Sequence, residues 1–173
     1  MLLPLLAAAA NLADFEAVLN AQNSATVALR QWCELRHIAA PAEIRAQRRN
    51  FQNIAPPANI RRHLHLRGDD QFAFRHVTLS CGDTVMSEAY NWYVPSRLTT
   101  EMNARLKSGQ TPFGTVVAPL QFRRERLPAA ALRGSYCPAG AILANRARLV
   151  LPGGQPLALL IECYTPANLT AGN

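Results

Sequence analysis

Two ionisable residues stand inside otherwise apolar strand patterns, and they are where this sequence could do chemistry. In FAFRHVTLSC (residues 72–81), Arg75 shares the parity of Ala73, Val77 and Leu79. Alternation along a strand therefore points a fixed positive charge toward the apolar side. In PLALLIECYTP (residues 156–166), Glu162 shares the parity of Ala158, Leu160 and Tyr164. A guanidinium in low dielectric needs an anionic partner, either from the protein or from a carboxylate ligand. If both groups reach one cavity, Arg75 can hold a carboxylate while Glu162 accepts a hydrogen bond from a hydroxyl at the ligand's other end. The alternative is that the two satisfy each other or a buried backbone group. Arg146 and Arg148 alternate with Asn145 and Ala147, which makes them either a second anion clamp or a solvated strand face.

The elements that must position these groups follow from local patterns. Phe72–Cys81 and Thr84–Val94 read as strands joined at Gly82-Asp83 into an antiparallel hairpin, and Pro95 stops the second. Thr99 caps a helix over residues 100–107, where Leu98, Met102 and Leu106 recur every four residues and Gly109 ends the run. In the corner QTPFG, Pro112 and Gly114 fix a sharp path that holds Phe113. TVVAPLQFRRERL is partly strand, with RRER a solvated edge, and residues 128–140 form a connection. AILANRARLVL and PLALLIECYTP pair across Pro152-Gly153-Gly154-Gln155 as a second hairpin. Upstream, Leu12, Phe15 and Leu19 make one helical stripe. A second helix, ATVALRQWCELRHI, is capped by Asn23 or Ser24 and shows Leu29, Trp32, Cys33 and Leu35 on its apolar face. The start of that helix can line a pocket, since its free N–H groups favour an anion. EIRAQRRNF reads as a strand or a helical turn, and RRHLHL (residues 61–66) as a strand with Leu64 and Leu66 inward. Together these elements predict an α+β fold with a single antiparallel sheet and helices packed across it.

Length and composition bound the reading. The 173 residues suffice for one core, and the balance of 18 Lys+Arg against 11 Asp+Glu gives a net charge of +7, with Lys107 the sole lysine. That charge favours encounter with anions of any kind. No recognised motif or aromatic platform accompanies Arg45, Arg48, Arg49, Arg61 and Arg62, so no nucleic-acid partner is expected. No Walker loop, dinucleotide fingerprint, HExxH or GxSxG occurs. Cys33, Cys81, Cys137 and Cys163 show no metal spacing and read as buried thiols, with bridges as the alternative an oxidising location would favour. Leu2–Ala10 is either an ordinary helix or the remnant of a leader, and is too short to span a bilayer. Residues 1–22 are therefore set apart from a domain over 23–173. The expected location is cytoplasmic, or periplasmic or secreted if the start is a leader.

The sequence resembles the chorismate–pyruvate lyase family. The resemblance rests on Phe74-Arg75 at a strand start, WYVP (Trp92–Pro95) after the hairpin turn, the corner GQTPFG and the returning strand PLALLIECYTP, and it spans about residues 24–166. It implies an antiparallel sheet with a ligand cavity enclosed by flap-like helical segments, related to the effector domains of some bacterial repressors. It also implies cleavage of chorismate to 4-hydroxybenzoate and pyruvate with no metal and no cofactor. By resemblance Arg75 binds the ring carboxylate, Phe113 beside Gly114 forms the apolar wall, Glu162 contacts the ring hydroxyl, and Ser24-Ala25 lies at a flap. Arg75 and Glu162 are then the catalytic pair, with Arg146 or Arg148 stabilising charge on the departing oxygen. Tyr90 stands where the family has an arginine, and Glu88 shares its parity. These departures favour a non-catalytic binding module for a small aromatic carboxylate as the second reading. In either case the partner is a small anionic aromatic or cyclic carboxylate bound by a monomer, with no integral membrane segment.

Overall fold

The computed structural model describes residues 10–49, 54–129, 132 and 134–172, so residues 2–9 of the leader-like stretch lie outside the described residues. In chain order these form α1 (Leu12–Asn20), α2 (Ala25–Leu35), β1 (Ile44–Arg48), α3 (Ile60–His63), β2 (Ala73–Cys81), β3 (Thr84–Tyr93), α4 (Thr100–Ser108), α5 (Phe113–Val117), β4 (Arg123–Leu127), β5 (Leu143–Val150), β6 (Pro156–Tyr164) and α6 (Ala167–Thr170). The strands make one antiparallel sheet in the order β1-β2-β3-β6-β5-β4. This is the expected α+β architecture of a single antiparallel sheet with helices packed across it.

Local chemistry explains the elements. Ser24 caps α2 by accepting from the Val27 amide, Thr99 caps α4 by accepting from the Met102 amide, and Gly109 leaves α4 at φ 83°. β6 is buried along its whole length, as its near-continuous apolar run demands for a strand covered on both faces. One face carries α1 and α2, where Phe15, Leu29 and Trp32 pack on Val77, Leu79 and Tyr164. Farther along that face, α4 and α5 set Leu106, Phe113 and Val116 against Leu149, Ala158 and Leu160. The opposite face is covered by segments around Leu64 and Leu132, packed on Tyr90, Trp92, Leu159 and Ile161.

Two expectations need correction, and one left open is decided. Of EIRAQRRNF, read as a strand or a helical turn, Ile44–Arg48 forms strand β1, with Ile44 and Ala46 inward and Arg45 and Gln47 outward. RRHLHL is not a strand: residues 60–63 form the single turn α3, with Ile60 and Leu64 both buried at the four-residue spacing of a helix. Asn59 enters that turn at φ 62°, directly after the Pro56-Pro57 pair has broken any extended run. The cysteines are not free thiols. Cys33 bonds Cys81 and ties α2 to the end of β2, while Cys137 bonds Cys163 and ties the 134–141 segment to β6 on the other face. Among the described residues no helix is long and apolar enough to cross a membrane.

Each bridge closes a substantial loop, with sequence separations of 48 and 26 residues. The chain-entropy argument assigns about 3–4 kcal/mol to each. Reductant, or Cys33→Ser with Cys81→Ser, should lower the urea midpoint correspondingly. A midpoint indifferent to reductant would show that the bridges do not contribute to stability.

Candidate ligand-binding site

Arg75 lies on the face carrying α2 and α5, in a row across the sheet with Asn91 of β3 and Leu160 of β6. Its residue exposure is 3%. Nη2 donates to the Thr111 carbonyl at 2.6 Å, but Nε and Nη1 have no partner among the described residues. Burial pushes the Arg75 pKa down to about 10; the Tyr93 hydroxyl opposes this and the Arg48 charge adds to it. The group therefore stays cationic at neutral pH, in a place where an unpaired charge is expensive.

Glu162 occupies the next row on the same face, opposite Ala89 and Asn145. It is not paired with Arg75. Arg124 reaches in from β4, donating from Nη1 to Oε1 at 3.0 Å and from Nη2 to Oε2, while the Tyr164 hydroxyl donates to Oε2 at 3.0 Å. Both charged side chains are 6% exposed. Burial works against the Arg124 cation, but the charge and hydrogen bonds of Glu162 hold its pKa above the ordinary arginine value. Burial, reinforced by the same carboxylate, raises the Tyr164 hydroxyl well above its usual range. The RRER run is an edge strand as expected, yet Arg124 is not solvated. Its inward parity becomes visible only once β4 is placed beside β5, with Arg124 opposite Leu149.

Between these rows and the helices lies a recess of about 30 Å³, lined by Asn91, Leu160, Phe113, Gly114 and the Arg124–Glu162 pair. Ser24, Thr26, Gly114 and Phe122 also wall an outer cavity of about 600 Å³ that extends past Thr111, Gln110 and Arg30. That volume falls in the range of small-molecule sites. Gly114 is required by close approach, since a Cβ there would lie 2.5 Å from Ser24 Oγ and 3.0 Å from Thr26 Oγ1. The start of α2 thus forms one wall, and Phe113, its ring 5.4 Å from that of Tyr93, packs under another.

The remaining candidates stand elsewhere. Tyr90, Arg146 and Arg148 alternate onto the opposite face and do not join Arg75 and Glu162. The Tyr90 hydroxyl lies 3.0 Å from both Glu88 Oε1 and the Tyr136 carbonyl, and its ring stacks on His76 at 4.2 Å. His76 Nε2 lies 2.6 Å from Glu88, so Glu88 also faces away from the cavity. Arg146 donates to His63 Nε2 at 3.0 Å and Arg148 is held by Glu125 through Nε and Nη2, so they form no anion clamp. Sequence reasoning missed Asn91, whose signal is simple: it pairs with Arg75 across the hairpin and shares its face. Among the described residues no group of three or more His, Cys, Asp or Glu is placed to hold a metal.

No family model matches the chain. It is 36% identical over 162 residues to the uncharacterized protein y4mC of Sinorhizobium fredii, covering 82% of this chain and 68% of that protein. Among solved structures it is similar to the effector domain of PhnF from Mycobacterium smegmatis, at 10% identity and TM-score 0.56, covering 83% of this chain and 89% of the other. A GntR-family transcriptional regulator from Enterococcus faecalis aligns at 13% identity and TM-score 0.45, covering 73% and 91%. The expectation of a chorismate-cleaving lyase is corrected by these findings together. Glu162 is bonded by Arg124 and Tyr164, Arg146 and Arg148 lie on the far face from Arg75 and Glu162, and the fold is similar to that of the PhnF effector domain.

Breaking the buried pair one-sidedly should be severe. Glu162→Gln leaves the Arg124 charge uncompensated and should cost about 3–5 kcal/mol, while Arg124→Met with Glu162→Leu should recover much of it. Urea unfolding of the three proteins checks this, and equal loss in the single and double variants would count against it.

A pH dependence follows from the histidines. Burial lowers the pKa of His63, with Arg146, Arg148 and Arg62 adding to the effect, and burial also lowers His76 despite Glu88. The unfolded chain then binds protons that the folded chain refuses, so the stability these groups confer is full above pH 6.5 and is lost as pH falls below it. The urea midpoint should drop between pH 7.5 and 5.5, and His63→Gln with His76→Gln should flatten that slope. A slope unchanged by the substitutions would assign the effect to other groups.

Proposed function

We propose that this chain, which belongs to the family of the uncharacterized Sinorhizobium fredii protein y4mC, is a non-catalytic binding domain for a small aromatic or cyclic carboxylate. The observation that carries this reading is the Arg75 guanidinium, buried behind Thr111 in the wall of the outer cavity, with Nε and Nη1 unpartnered among the described residues. A ligand carboxylate would supply the missing acceptors through charge-assisted hydrogen bonds, stronger than those between neutral groups. Arg124 and Glu162 cancel each other, as do Arg45 and Glu43 in the outer wall, while Arg75 behind Thr111 and Arg30 in the lining remain positive. An anion suits that charge. The outer cavity, with Phe122, Pro112 and Val27 in its walls, supplies apolar surface for a ring. The likeness of the fold to an effector domain supports the same role.

Calorimetric titration with benzoate and the hydroxybenzoates tests the reading. The protein should bind at least one of them with one-to-one stoichiometry and return it chemically unchanged. Arg75→Met should weaken that binding about ten- to hundredfold, the value of hydrogen bonds to a charged group. Binding untouched by Arg75→Met, or no saturable heat with any of these acids, would overturn it.

A further inference from the structure

We infer that Asn91 determines specificity at this site, selecting acids that also carry a hydrogen-bond donor over acids that carry none. This rests on the carboxylate-binding reading above and adds to it a second polar requirement. Asn91 has a residue exposure of 3%, lines the inner recess, and its Oδ1 has no hydrogen-bond partner among the described residues. It is the direct cross-strand partner of Arg75, so the two side chains rise from the same row of the sheet. The recess therefore offers an acceptor at Asn91 that is unmet among the described residues, in the same row of the sheet as the unmet Arg75 Nε and Nη1 behind Thr111.

The neighbours do not supply what Asn91 lacks. Glu162 offers only acceptors, and the Arg124 Nη1 and Nη2 groups both bond to it. Asn23, Ser24 and Thr26 also line the recess but make no hydrogen bond to Oδ1, and Leu160 and Phe113 have no polar side-chain atoms. A volume of about 30 Å³ suits a small polar substituent such as a hydroxyl or amino group. The complementary ligand is a monocarboxylate whose ring bears a hydroxyl or an amine that donates to Oδ1. A buried acceptor left unmet penalises the analogue that lacks the donor, and such polar requirements discriminate more sharply than apolar fit.

Titrations of the full chain with benzoate, 3-hydroxybenzoate, 4-hydroxybenzoate and 3-aminobenzoate provide the test. At least one donor-bearing acid should bind about tenfold or more tightly than benzoate. In Asn91→Leu the ratio of the two dissociation constants should fall close to one, with circular dichroism reporting the fold. Asn91→Ser provides a second, smaller replacement that should also reduce the ratio. If benzoate binds the parent as tightly as every donor-bearing acid, the inference fails while the carboxylate reading stands. A ratio that survives both Asn91 substitutions places the selecting group elsewhere and also overturns it. If none of the acids binds, the carboxylate reading fails, and the inference with it.

Discussion

A carboxylate on the most deeply covered strand must be neutralised from within the fold, and this constraint shapes the rest of the molecule. Glu162 lies on β6, at the centre of the sheet, where water reaches neither face. Its cation comes from β4, two strands away at the edge, so Arg124 has to cross the line of β5 to reach it. That demand fixes which residues of β4 face inward and makes an otherwise polar edge strand part of the interior. It also leaves the interior of the cavity face electrically simple: one buried pair cancels, and Arg75 is left a buried cation without an acidic partner among the described residues. A buried ion pair is weak evidence of added stability but strong evidence of a fixed arrangement once one partner is committed.

Much of this was legible in the residues. The two hairpins announced themselves through Gly82-Asp83 and Pro152 to Gln155, because turn chemistry and strand alternation agree there. Parity placed Arg75 and Glu162 each on the apolar side of its own strand, since a period of two depends on nothing outside the strand; that the two sides are one face is a matter of register across β3. What could not be read was partnership. Arg124 looked solvated in RRER because its inward direction depends on β4 lying beside β5, a long-range fact. RRHLHL alternates well enough to suggest a strand, yet Ile60 just upstream of it turns the burial pattern into that of a helical turn. The cysteines carried no spacing signal, because both bridges join elements distant in sequence.

The face a residue occupies decides its chemistry more than its proximity along the chain. Tyr90 and Asn91 are adjacent, but one stacks with His76 above Glu88 while the other stands beside Arg75. Arg146 and Arg148 are likewise separated from Glu162 by the thickness of the sheet, although Arg146 is next to Asn145, the cross-strand neighbour of Glu162. The sheet therefore partitions the polar groups into two sets. One set is largely paired within itself, through Tyr90, His76, Glu88, Arg146, His63, Arg148 and Glu125, and serves the packing of the 54–72 and 134–141 segments; the other keeps unmet donors and acceptors at Arg75 and Asn91.

The attachment of α2 has a mechanical side. Cys33 is bonded to Cys81 and the Trp32 indole donates to the Asn168 carbonyl, so the later part of the helix is pinned to the sheet and to α6. Ser24, at the other end, lies nine residues away, about 13 Å along the axis, and rests against Gly114 without a covalent tie. Asn23 beside it accepts from the Arg124 amide at 3.2 Å, so that end is fastened by packing and a hydrogen bond alone. The two ends of α2 are thus fixed with very different strength, a covalent bond far from the cavity and noncovalent contacts at its mouth.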